Sequence, residues 1–149
     1  MILSVTAKLL GTVGQDDLTT IMIANKTGIS VGTLYHYFPN KYSILYALAE
    51  RWLKEIDRAM DDINNYTLDS TNLRDFTNFS IDRMFTVYTN QEGILPLVQL
   101  MSGVPELKSL DEEHDFKISA IISNIFKRLN IASDPVVLTR LATTWLEVT

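Results

Sequence analysis

The chain reads as all-α, with an N-terminal three-helix helix-turn-helix unit ahead of a larger helical domain. Three observations predict this. Apolar residues recur at helical spacing along nearly the whole length. Gly, Pro and Ser/Thr/Asp punctuation falls where helices of ordinary length would start and stop. No stretch alternates apolar and polar residues as a half-buried strand would.

In order along the chain, Ile2, Leu3, Val5, Leu9 and Leu10 mark a first helix that the pattern ends at Gly11 and Gly14. Thr19 precedes Ile21, Met22 and Ile23 and reads as an N-cap, its hydroxyl accepting a free backbone N–H. Gly28 closes that short helix, because positive φ is cheap only for glycine. Ser30 caps the next helix, and Pro39 ends it by disfavouring helical geometry at Phe38. Ile23, Ala24, Ile29, Leu34 and Phe38 fall on the apolar faces and are expected in the core. From Tyr42 to about Asn64 a long helix carries Ile44, Leu45, Leu48, Trp52, Ile56, Met60 and Ile63 on one stripe. NNYTLDSTN (Asn64–Asn72) is a polar break. Leu73 to Tyr88 is a further amphipathic helix, and Ile94 to Met101 a short one interrupted by Pro96. Pro105 opens a long helix to about Leu129. Asp134 and Pro135 then supply an N-cap and first-position proline for a helix running to Val148.

Composition narrows the function. A chain of 149 residues, 46% apolar, buries a sizeable core but holds no apolar run long enough to cross a bilayer. MILSVTAKLL lacks a signal-cleavage site, so a cytoplasmic protein away from membranes is expected. There is no Cys, which excludes disulfides and thiolate metal sites. Two His, no Gly-rich phosphate loop and no nucleophile elbow leave no catalytic arrangement, and neither cofactor nor metal is expected. His114 within DEEHD reads as part of a solvated charged turn.

The net charge of −5 argues against nucleic acid until the chain is divided. Residues 1–55 hold five basic side chains against four acidic, and residues 56–149 hold eight against fourteen. The acidity belongs to the back of the molecule. A front half at +1 is still a thin footprint for phosphate binding, unless a dimer doubles it.

Residues 19–38 carry the sharpest signal. Val31, Gly32 and Thr33 are small enough for close backbone approach in a major groove. Tyr35, His36 and Tyr37 supply long groups for phosphates or base edges. Lys41 opens the next helix, where exposed N–H groups also favour phosphate. Thr19 and Thr33 can donate to phosphate oxygens, and Val31, Thr33 and His36 are the better candidates for bases.

IANKTGISVGTLYHYFPNKYSIL (Ile23–Leu45) closely resembles the helix-turn-helix of the TetR (tetracycline repressor) family, which reads broadly IAxxAGVSxGTLYxYFxxKxxL. The similarity covers about a third of the chain, in register and without gaps. PELKSLDEEH (Pro105–His114) is a weaker likeness to a segment of the family's ligand-binding domains. The resemblance implies a homodimeric transcriptional regulator, usually a repressor, with a DNA-binding domain over 1–46 and a ligand-binding and dimerisation domain over 47–149. Its DNA contacts fall by resemblance on Thr19, Ser30, Val31, Thr33, Tyr35, His36, Tyr37 and Lys41. The expected partners are an operator duplex, a second copy and a small hydrophobic effector. There are three departures from the family pattern. No basic arm precedes the first helix, Ile21 stands where relatives often carry a polar residue, and the sequence ends inside what resembles the penultimate helix, as a truncated chain would.

Candidate effector contacts are the aromatic, Met and apolar positions Trp52, Phe76, Phe79, Met84, Tyr88, Met101, Ile118, Ile122 and Trp145, with Gln99, Asn124 and His114 as polar neighbours. At helical spacing an aromatic and Met stripe is more often plain core. The alternative reading is therefore a helical small-molecule-binding protein that kept the fold without operator binding. A helical enzyme would need ionisable groups converging on the apolar stripe, and only His114 and scattered acids are on offer.

Overall fold

The computed structural model describes residues 1–67 and 73–148. Among them are eight helices and no strand: α1 (Ile2–Asp17), α2 (Thr20–Thr27), α3 (Val31–Tyr37), α4 (Lys41–Asn64), α5 (Leu73–Thr89), α6 (Ile94–Gly103), α7 (Pro105–Arg128) and α8 (Pro135–Val148). Part of the polar break, residues 68–72, lies outside the described residues.

The helices gather into two compact units that interleave along the chain. Unit 1 is Met1–Lys54 with Tyr88–Leu110, and unit 2 is Glu55–Val87 with Asp111–Thr149. The expected single boundary after residue 46 therefore differs from the contact pattern. Residues 88–110 belong with the N-terminal helices because α6 packs on α1.

Two backbone features make that packing possible. α1 does not stop at Gly11; it continues to Asp17 across a kink at Gly14, whose φ is 75° and ψ 179°. Gly11 stays in the helix because its bare Cα faces Gly93, and a Cβ there would meet the Gly93 Cα at 3.3 Å. Gly93, the N-cap of α6, has φ +71°, and a Cβ on it would lie 2.2 Å from the Ala7 carbonyl oxygen. The two main chains touch directly. Pro96 does not interrupt α6 either. It is the third helical residue, where the N–H has no intrahelical acceptor to lose.

The core of unit 1 includes Leu10, Leu18, Ile23, Leu34, Ile44, Leu45 and Met101. Ile23, Ala24 and Leu34 are buried as expected, whereas Ile29 and Phe38 are only half-buried, being next to the exposed ends of α3. Arg51 donates to the Ser4 hydroxyl at 3.1 Å and ties α4 to α1.

Unit 2 buries Met60, Ile63, Phe76, Ile118, Ile122, Ile125 and Leu138. Arg128 donates to the Asn64 and Tyr66 carbonyls, closing the end of α4. The carboxylate of Asp134 accepts from the Val136 and Val137 N–H groups at 2.8 and 3.2 Å, which starts α8 as expected.

His114 corrects the reading of DEEHD as a solvated turn. These residues lie inside α7, where steps of about 100° turn one of them inward while its neighbours face out. The His114 side chain is 10% exposed, and its Nε2 lies 3.1 Å from Asp57 Oδ1. The second Asp57 oxygen takes Lys117 Nζ at 2.7 Å. Two further carboxyls on this face of α7 are raised above their ordinary range. Asp111 is raised by burial and then by the Asp115 carboxylate, and Asp115 by burial and by Glu112, with His114 opposing.

Candidate nucleic-acid interface

The α2–turn–α3 segment is fixed by local chemistry at each end. Thr19 Oγ1 accepts from the Met22 N–H at 3.2 Å and caps α2. Gly28 then turns the chain at φ 76°; its N–H reaches the Asn25 carbonyl and the next N–H, of Ile29, reaches that of Ala24. Ser30 Oγ accepts from the Thr33 N–H at 3.0 Å and shares a second hydrogen bond of 2.8 Å with the Thr33 hydroxyl. α3 ends at Tyr37, with Phe38 extended before Pro39.

Leu34 anchors α3 by full burial, at 0% exposure. That single inward residue sets the outward face. Gly32 and His36, one turn apart, lie on the opposite side, and both are exposed. Thr33 is also exposed, Val31 is half-buried, and Tyr37 is 65% exposed with His36 packed against its ring at 5.4 Å. Tyr35 is exposed but partly committed, since its hydroxyl shares a 3.0 Å hydrogen bond with Thr20 on α2. Thr19 and Ser30 are exposed beside their caps. The structure thus gathers Thr19 to Tyr37 on one helix pair.

Lys41 is half-buried at the start of α4. Its Nζ donates to the Gln15 carbonyl at 3.1 Å, near the C-terminal end of α1, and lies 5.9 Å from the Tyr42 ring centroid. The cation therefore has a structural task already. Sequence reading missed what precedes it: Asn40 Oδ1 accepts from the Ser43 N–H at 2.9 Å, and Ser43 Oγ donates back to the Asn40 carbonyl at 2.7 Å. An Asn followed three residues later by a hydroxyl was the available signal. Ile21, the expected departure, is 58% exposed on α2.

Residues 2–48 match the family model "Bacterial regulatory proteins, tetR family", and their helices are those just described. The N-terminal part of the chain is thus similar to the DNA-binding domain of tetR-family proteins. It is 30% identical over 117 residues to the tetracycline repressor protein class A from transposon 1721 of Escherichia coli, a match covering 75% of this chain. The chain spans half the length of that curated relative. Among solved structures, a TetR-family transcriptional regulator from Marinobacter aquaeolei VT8 superposes with a TM-score of 0.75. It is 24% identical, over 97% of this chain and 73% of that one. The transcriptional regulator FadR from Bacillus subtilis, solved in complex with stearoyl-CoA, gives 0.68 at 20% identity, over 98% and 86% of the two chains. At such identities the solved structures speak for the fold alone.

The candidate effector residues are distributed between the two units. In unit 1, Trp52 and Tyr88 stand edge to face at 6.1 Å; Met101 is buried and Gln99 exposed. In unit 2, Phe76 and Phe79 share the ring of Tyr66 at 5.7 and 4.6 Å, Ile118 and Ile122 are buried, Met84 is half-buried, and Trp145 is at the surface. Asn124 is exposed and bonds Asn64. An open groove of about 430 Å³ along α7 and α8 is lined by Phe116, Ser119, Ser123, Thr139 and Thr143, none of them among those candidates. Among the described residues no helix is long and apolar enough to cross a membrane, and no three His or acidic groups converge as metal ligands.

Proposed function

We propose that this chain is a ligand-responsive, DNA-binding transcriptional regulator, a repressor that binds a palindromic operator as a homodimer and leaves it when a small hydrophobic effector binds. The observation that carries this reading is the face of α3, with Leu34 fully inward and Gly32, Thr33, His36 and Tyr37 outward. A short helix displaying small and hydrogen-bonding groups fits a major groove. Val31, Thr33 and His36 are assigned to base edges, with Gly32 allowing close approach. Thr19, Ser30, Tyr35, Tyr37 and Lys41 are assigned to phosphates.

The effector acts by population shift. A ligand that prefers the state in which the two reading helices are misplaced for successive grooves lowers operator affinity by the same coupling factor. α4 is the proposed lever, because it starts beside the reading helix at Lys41 and its residues beyond Lys54 belong to unit 2. Effector contacts are assigned to Trp52, Tyr88 and Met101 in unit 1, and to Phe76, Phe79, Met84, Ile118 and Ile122 in unit 2. The fold relative solved with stearoyl-CoA makes apolar compounds the first class to test.

Selection from randomised duplexes, followed by fluorescence anisotropy, tests the reading. The expected result is an inverted repeat with half-sites about one helical turn, roughly 34–36 Å, or a multiple of it apart. Failure to prefer any duplex over heparin removes the reading. It would leave the second one, a small-molecule binder without operator affinity, which the net charge of −5 favours.

A further inference from the structure

Trp52 is 6% exposed, and its buried indole Nε1 has no hydrogen-bond acceptor. That is unusual. A buried indole N–H ordinarily finds a partner, because losing water without replacement is costly. Of its neighbours on α4, Leu48, Ala49, Leu53 and Ile56 are buried and carry no side-chain oxygen, and the Glu55 carboxylate is taken by Arg58. Tyr88 meets the indole ring edge to face, with centroids 6.1 Å apart and planes at 72°.

We infer that the Trp52 N–H is the polar anchor of an effector site, and that the effector is an apolar molecule bearing a neutral carbonyl oxygen. This rests on the effector reading proposed above. The neutral class follows from the surroundings. No charged side chain is among the buried described residues; Arg51 is turned to Ser4, and Lys54 is exposed. A carboxylate brought to the indole would lose its water and gain one neutral donor, whereas a ketone, ester or amide gives up far less. The anchor fixes orientation, while the apolar body packs on unit 1 side chains.

The indole ¹H–¹⁵N cross-peak of the intact protein reads this directly. Trp52→Phe assigns the Trp52 peak, and Trp145 supplies an internal comparison. Cyclohexanone is titrated against cyclohexene, which has the same ring without the carbonyl oxygen, and against cyclohexanecarboxylate. The expected result is a saturable downfield shift and slowed hydrogen exchange of the Trp52 N–H with cyclohexanone alone. Trp52→Phe should then weaken cyclohexanone binding about three- to tenfold. An N–H already slow to exchange and unmoved by cyclohexanone, held by a buried water or the Tyr88 ring, overturns the anchor. Equal shifts with cyclohexene overturn it too, and preference for the carboxylate overturns the neutral class. Operator anisotropy in the same solutions separates the two claims. A Trp52 shift without change in operator affinity leaves the anchor and removes its regulatory role, and the reverse removes only the anchor.

Discussion

Gly28 and Gly93 both hold positive φ, yet the consequences of replacing them differ. A Cβ on Gly28 meets nothing within 4 Å, so Gly28→Ala carries only the conformational cost, about 1 kcal/mol. A Cβ on Gly93 meets the Ala7 carbonyl at 2.2 Å, and a helix backbone cannot swing aside like a side-chain tip. Gly93→Ala should therefore cost more than about 3 kcal/mol, overpacking added to strain. Urea denaturation of both variants checks the order. Lys41 presents a different choice, because its ammonium already holds the Gln15 carbonyl. Lys41→Ala should weaken binding to all duplexes alike and reduce the slope of log affinity against log salt by about 1. An unchanged slope would mean that the contact with α1 is its whole role.

At the scale of the element, α3 depends on one cap and one buried residue. Ser30→Ala removes the acceptor for the Thr33 N–H and should destabilise the protein by about 1 kcal/mol. Leu34→Ala leaves a cavity at a fully buried position and should cost about 2–5 kcal/mol. Calorimetry on the pair separates helix initiation from docking. These positions show why sequence pattern served well here. Thr19, Gly28, Ser30, Pro39 and Asp134 act on residues within four places of themselves, so their roles are written locally. The outward face of α3 follows from periodicity once Leu34 is turned in. Gly11 was misread as a stop because its reason for being glycine lies at Gly93, 82 positions away in the chain. Pro96 was misread because the pattern does not say that α6 begins at Ile94. The Thr20–Tyr35, Lys41–Gln15 and Asp57–His114 pairs depend on helix docking, and no local spacing announces them.

For the molecule as a whole, the titration of unit 2 gives a test of how its acidic face is tolerated. Asp111 and Asp115 hold their protons more tightly when folded than ordinary aspartates do, burial being the larger cause for each. A raised carboxyl pKa stabilises the folded form while protonated, and that contribution is lost as pH rises from the ordinary aspartate range through the raised value. Asp111→Asn should therefore increase stability at neutral pH, by up to about 0.5 kcal/mol for a screened like-charge pair. The gain should shrink on acidification toward the aspartate range. Melting curves at a series of pH values check both the sign and the window. The interleaving of the units has a practical side. The flank of α1 that receives Gly93 belongs to the same body as α6, so Met1–Lys54 is not a portable cassette. A chimaera that borrows only those residues for a foreign effector module strips α1 of its cover, and grafts intended to transplant the proposed operator preference need the stretch from Tyr88 to Leu110 as well.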